Sequence, residues 1–200
     1  MRLSLNNLVA SCLCVLFVGC SPAATGYRYA DEPDPRRSEY LIGVTDVLNI
    51  RVWRNPDLSL EATVMPYGTI TMPLIGSVPV AGKTSSGVRD IIARALKVYI
   101  KDESAVVTVS VARVNSYRIA VSGNVNRPGV IDATRYITVT EAILLAGGPT
   151  RFASPNGTLL LRTGPDGKVR CIPIQYEEIE AGRRLEQDLV LVRGDRVYVP

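Results

Sequence analysis

Prolines and glycines fall every few residues through 63–80, and this spacing limits the size of anything the segment can build. Pro66, Gly68, Pro73, Gly76 and Pro79 interrupt apolar runs at 63–64, 69–74 and 77–80. A proline cannot donate to a sheet ladder and an interior glycine weakens one, so short strands of a small, curled sheet are expected. Such a sheet needs a second layer to cover it. The next segment offers one. Thr84 is placed to cap a helix in which Val88, Ile91, Ile92, Ala95, Leu96 and Tyr99 recur at i, i+3, i+4 and i+7, with Arg89, Asp90, Arg94 and Lys97 outward.

Longer strands flank this unit. Leu48, Ile50 and Val52 alternate with Asn49, Arg51 and Trp53 after a turn at Thr45-Asp46, and Asn55-Pro56-Asp57 stops the run. Val107, Val109 and Val111 alternate with Thr108 and Ser110, closing an α+β unit near Val114. The second half repeats the logic. Tyr117, Ile119 and Val121 form a strand, Gly123 allows a bend, and Arg127-Pro128-Gly129 turns the chain into Val130-Ile131. Thr138 with Glu141 is a capping box for a short helix with Val139, Ala142, Ile143 and Ala146 inward, ended by Gly147-Gly148-Pro149. Residues 158–162 and 169–174 are expected as a hairpin around Gly164-Pro165-Asp166-Gly167, and 195–199 as a final strand. A weak internal echo links IGVTDVLNI at 42–50 with LVRGDRVYV at 191–199: each has a turn with Asp, then alternating apolar residues.

The N-terminus has the features of an export signal. Arg2 is the only charge among the first twenty residues, and an apolar run over 8–18 leads into Phe17-Val18-Gly19-Cys20. That run is shorter than the roughly 20 residues a membrane-spanning helix needs. A Cys directly after a small residue at the cut is the pattern of a bacterial lipoprotein signal, so cleavage between Gly19 and Cys20 with lipidation of Cys20 is expected. Two alternatives remain open: Cys12 after Val9-Ala10-Ser11, and an ordinary signal cut near Ala23-Ala24. Residues 21–39 carry Pro22, Pro33 and Pro35 among charged and small residues and are expected as a flexible tether, reaching roughly 60 Å if fully extended.

Charge and cysteine content narrow the function classes. The sequence holds no histidine, and its formal net charge is +4. Its basic residues are scattered, with Arg36-Arg37 and Arg183-Arg184 the adjacent pairs, so no nucleic-acid footprint is expected. Cys12 and Cys14 would leave with the signal and Cys20 would be acylated. That makes Cys171 the expected sole thiol of the mature chain, without an intrachain bridge. Neither a metal site nor a cofactor is expected from this inventory, and no acid pair stands out as a glycosidase couple. No catalytic residue is assigned.

Several segments resemble one family. YLIGVTDVLNIRVWRNPDLS at 40–59 and MPYGTITMPLIGSVPVAGKT at 65–84 resemble a polysaccharide export domain. IAVSGNVNRPGVI at 119–131, ITVTEAILLAGGPT at 137–150 and the closing LVRGDRVYVP resemble a soluble-ligand-binding β-grasp domain. Three departures are visible: Val44-Thr45 replaces Pro-Gly before Asp46, Tyr67 replaces the Asp expected before Gly68, and a single β-grasp module is evident. The implied division is a signal over 1–20, a tether over 21–39, an export domain over 40–114 and a β-grasp domain over 115–200. The implied fold class is α+β, a small mixed-sheet domain followed by a β-grasp domain.

The resemblance also implies a role. It points to an outer-membrane lipoprotein with its body in the periplasm, a non-enzymatic, ring-like homo-oligomer through which capsular or exopolysaccharide leaves the cell. The implied partners are the polysaccharide itself and an inner-membrane chain-length-control and tyrosine kinase complex. Longer members continue past the final strand into an outer-membrane helix, so a separate β-barrel is expected to complete the exit. The alternative class is a monomeric periplasmic lipoprotein that binds a saccharide or a protein. Trp53 is a candidate contact for sugar or a neighbouring subunit, or a cap on its own domain's core. Asp46 and Asp195 are expected to cap turns through backbone N–H groups, and Cys171 to be an inert rim thiol.

Overall fold

The computed structural model describes residues 26–100, 106–164 and 166–200. Strand β1 (Val47–Val52) sets the first half, because alternation buries Leu48, Ile50 and Val52 on one face. It pairs antiparallel with β2 (Leu60–Thr63) on one side and β5 (Val107–Arg113) on the other. The punctuated segment forms a separate two-stranded hairpin of β3 (Thr69–Met72) and β4 (Gly76–Pro79), burying Ile70, Met72 and Val78. Helix α1 (Ser85–Leu96) begins where Thr84 accepts a hydrogen bond from the Gly87 N–H, and buries Val88, Ile92 and Leu96 against both layers. The expected stripe is one turn too long. Tyr99 lies beyond the helix and is 57% exposed, because the chain turns out of the helix after Leu96 and Ile100 packs on the core instead.

The second half builds one five-stranded mixed sheet in the order β7-β6-β10-β8-β9. Hairpins of β6 (Arg118–Gly123) with β7 (Gly129–Asp132) and of β8 (Thr158–Thr163) with β9 (Val169–Ile174) flank β10 (Arg196–Val199). β10 runs parallel to β6 and antiparallel to β8. This is the β-grasp arrangement. Helix α2 (Val139–Leu145) covers the sheet, and both bonds of the Thr138/Glu141 capping box are made. Gly123 does more than bend: at φ +90°, a Cβ there would lie 2.0 Å from the Val199 carbonyl oxygen. Helix α3 (Tyr176–Glu180) is too short to leave a periodic signal in the sequence. Each half has its own apolar core.

Two expectations are corrected. Residues 27–32, within the expected flexible tether, form a strap against the β-grasp domain, while Glu39 accepts from the Ser86 N–H and hydroxyl at the start of α1. Tyr27 and Tyr29 pack on its core with ring centroids 5.0 Å apart, and the Tyr29 hydroxyl donates to the Pro173 carbonyl at 2.7 Å. The two tyrosines supply the apolar contact that the rest of the segment lacks. Cys171, on β9, is disulfide-bonded in the uncleaved chain, so a lone thiol there is expected only after the signal has been removed. The expected cleavage and lipidation site, Gly19 and Cys20, and the alternative Cys12 lie outside the described residues.

Candidate functional site

Asp46 joins the two domains. It is 0% exposed, at the end of the turn that leads into β1. Its Oδ2 accepts from the Gly43 N–H at 2.8 Å, the Tyr40 hydroxyl at 2.7 Å and the Ser116 hydroxyl at 3.0 Å. Its Oδ1 accepts from the N–H groups of Asn115 and Ser116, each at 2.8 Å, at the start of the second domain. Five donors around one carboxylate replace the water it loses on burial. Burial, with the Asp46 carboxylate beside it, pushes the Tyr40 hydroxyl well above the usual tyrosine range. Gly43 is required for clearance, since a Cβ there would sit 1.9 Å from an Arg193 nitrogen and 2.1 Å from Ser116 Oγ.

The sequence echo has a structural counterpart. Asp195 closes its own turn by accepting from the Val192 N–H at 2.8 Å, as Asp46 does from Gly43. Both turns place the residue before the Asp in the left-handed region, Gly194 at φ 86° and Thr45 at φ 74°. Thr45 thus occupies a position built for glycine, where a β-branched side chain is strained.

Asp195 also anchors a buried charge cluster. Arg162 and Glu32 side chains are each 2% exposed, and Arg162 pairs with Asp195 at 2.6 Å and with Glu32 at 2.9 Å. Arg170 approaches Glu32 from the surface at 2.9 Å, and the Tyr27 hydroxyl donates to Glu32. Burial works against the Arg162 charge, but the two carboxylates outweigh it and raise its pKa. Burial pushes the Asp195 carboxyl up against the pull of Arg162. This cluster clamps the strap to the sheet.

Two surface recesses adjoin these supports and a third lies apart from them. Tyr40, Tyr117 and Tyr136 line two adjoining grooves of about 190 and 280 Å³ at the domain junction, where the Tyr117 and Tyr136 rings meet edge to face at 5.4 Å. A larger cleft of about 420 Å³ lies at the far end of β1, lined by Arg51, Trp53, Arg54, Asn55, Ser59 and Thr108 among others. Trp53 is 63% exposed and does not cap its own domain's core. Among the described residues no group of three or more His, Cys, Asp or Glu is placed to hold a metal ion, and no helix is long and apolar enough to cross a membrane.

The expected turn-capping by Asp46 and Asp195 is present, but both reach further than their turns. Tyr40, Ser116, Glu32 and Arg162 were not singled out from sequence. Arg162 left one signal: it shares its strand face with Thr158 and Leu160, both buried.

Comparison with known proteins agrees with this architecture. Residues 34–112 match the family described as polysaccharide biosynthesis/export protein, and residues 118–173 match the SLBB domain. The two matches cover more than half of the chain in the order of its two cores, and the chain belongs to the polysaccharide export family. It is 33% identical over 154 residues to the EPS I polysaccharide export outer membrane protein EpsA of Ralstonia nicotianae, covering 64% of this chain and 40% of that protein. Identity is 31% over 160 residues to the exopolysaccharide production protein ExoF of Rhizobium meliloti, 74% of this chain and 36% of that one. With the capsule polysaccharide export outer membrane protein CtrA of Neisseria meningitidis serogroup A it is 26% over 214 residues, 98% of this chain and 51% of that protein. The chain therefore spans between about a third and a half of the length of these relatives.

Proposed function

We propose that the protein is a non-catalytic periplasmic component of an outer-membrane system that exports capsular or exopolysaccharide. The observation that carries this reading is the ordered pair of export and SLBB domains, fixed to one another through Asp46. Relatives named for export of EPS I and of capsule polysaccharide support the substrate class. A lipid on Cys20, after cleavage at Gly19-Cys20, holds the protein to the outer membrane. Copies assemble as a ring, whose subunit contacts cover the outer strands β2, β5, β7 and β9. An inner-membrane chain-length-control and tyrosine kinase complex delivers the polymer. The outer-membrane crossing is made by another segment or by a separate β-barrel.

The test is deletion and complementation in the native host. Deletion abolishes surface polymer, the intact gene restores it, and Cys20→Ser restores neither polymer nor lipid labelling. Crosslinking in mild detergent traps species well above the monomer, whose uncleaved chain is 21.7 kDa. A strict monomer that restores export refutes the ring and favours a periplasmic binding lipoprotein.

A further inference from the structure

The cleft beside Trp53 combines three features that the fold itself does not use. First, a large indole stands 63% exposed at the end of β1, outside its domain's apolar core. Second, Arg51 and Arg54 flank it. Ten of the eighteen arginines among the described residues have a carboxylate partner, from Arg28 with Asp31 to Arg183 with Glu178, and eight do not. Arg51 and Arg54 have none among the described residues, and the described lining contains no acid. Third, the backbone at this point is fixed in a costly form. Arg54 lies at φ 58°, and such strain persists only where its surroundings enforce it.

Those surroundings are visible. The Trp53 N–H donates to the Val106 carbonyl at 2.9 Å, the Asn55 N–H to the Val52 carbonyl at 3.0 Å, and the Asn55 amide to the Trp53 carbonyl at 2.9 Å. Ser59 Oγ accepts from the Val52 N–H at 2.9 Å and donates to the Asn55 carbonyl at 3.1 Å. The loop is thus held before any ligand arrives, which lowers the ordering cost of binding. An aromatic face offers a flat apolar platform, and two guanidinium groups recognise a carboxylate through paired N–H donors. A cleft of about 420 Å³ is within the range of small-ligand sites.

We propose that this cleft binds a carboxylate-bearing sugar unit of the exported polymer, its ring on the Trp53 indole and its carboxylate between Arg51 and Arg54. The proposal rests on the export reading and specifies its substrate as acidic. Neutral sugars would use the platform but leave both guanidinium groups unmatched. Asn55, Ser59 and Thr108 add polar groups at the rim.

The sequence contains a single tryptophan, so indole emission reports this cleft directly. Titrating the lipidated mature protein with hexagalacturonate should change Trp53 emission along a saturable curve that weakens as salt rises, whereas cellohexaose at equal concentration should change it far less. Arg51→Gln with Arg54→Gln, both exposed, should keep the fold by circular dichroism and weaken the acidic probe at least tenfold. Trp53→Phe, followed by calorimetry, should weaken it as well. Equal response to both probes, or unchanged affinity in the double variant, overturns the proposal. So does an emission that is blue-shifted and unresponsive in the oligomer, which identifies a subunit contact. Host complementation separates the two readings: export restored by a protein that does not bind hexagalacturonate refutes the cleft alone, and binding without restored export refutes the export role alone.

Discussion

Replacing Asp46 with Asn tests how the two domains are joined, because it changes hydrogen-bond polarity at almost constant shape. The amide oxygen can stay where Oδ1 accepts from Asn115 and Ser116. Its NH₂ group then replaces Oδ2, and the Tyr40 and Ser116 hydroxyls can rotate to accept from it. The Gly43 N–H cannot rotate. It is left facing another donor in a buried site, which costs about 1–3 kcal/mol. The two retained bonds lose charge assistance, about 1 kcal/mol each, while a neutral amide is cheaper to bury, so the net loss is roughly 2–3 kcal/mol. Urea unfolding followed by two probes reads this out. Trp53 fluorescence reports the first domain alone and far-ultraviolet circular dichroism reports both. In the parent protein the curves should coincide; in Asp46→Asn the midpoint should fall and the curves should separate. Coincident curves with a loss below about 0.5 kcal/mol would refute the claim that this carboxylate couples the domains.

Two further substitutions address other supports. Thr45→Gly removes a β-branched side chain from φ 74°; relief of about 1–2 kcal/mol, less about 0.5–1 kcal/mol of added unfolded-state freedom, should give a small rise in the urea midpoint, and a fall would contradict the strain. Glu32→Ala leaves Arg162 with Asp195 alone, so a loss of roughly 2–3 kcal/mol is expected, below the cost of stranding a fully unpaired charge. Released from its clamp, the strap should be cut by trypsin after Arg28 several times faster; an unchanged cleavage rate would mean that the tyrosines alone hold it.

What the sequence conveyed was local. Alternation in β1 and β5, the Thr84 cap of α1 and the Thr138/Glu141 box all depend on residues within a few positions of one another, and each formed as its spacing required. Tyr99 failed because periodicity shows which residues share a face, not where the helix stops. The strap failed because composition averages conceal two well-placed tyrosines. Asp46 was legible as a turn residue through its Gly43 bond, but not as an interdomain link, since its other backbone partners lie 69 and 70 residues away. Glu32 and Arg162 are 130 residues apart, and no local pattern joins them.

The parallel pairing of β6 with β10 has a kinetic consequence. It aligns Ala120 with Arg196, so the middle of the second sheet cannot close until both hairpins and α2 between those strands have been synthesised. Contacts of such long sequence separation form slowly, because loop-closure entropy must be overcome first. A nascent chain therefore keeps this domain open until its C-terminal strand has been made. Under the export route proposed above, in which the chain is threaded unfolded across a membrane, the order of strands would act as a timer, delaying completion of the sheet until the last strand has emerged.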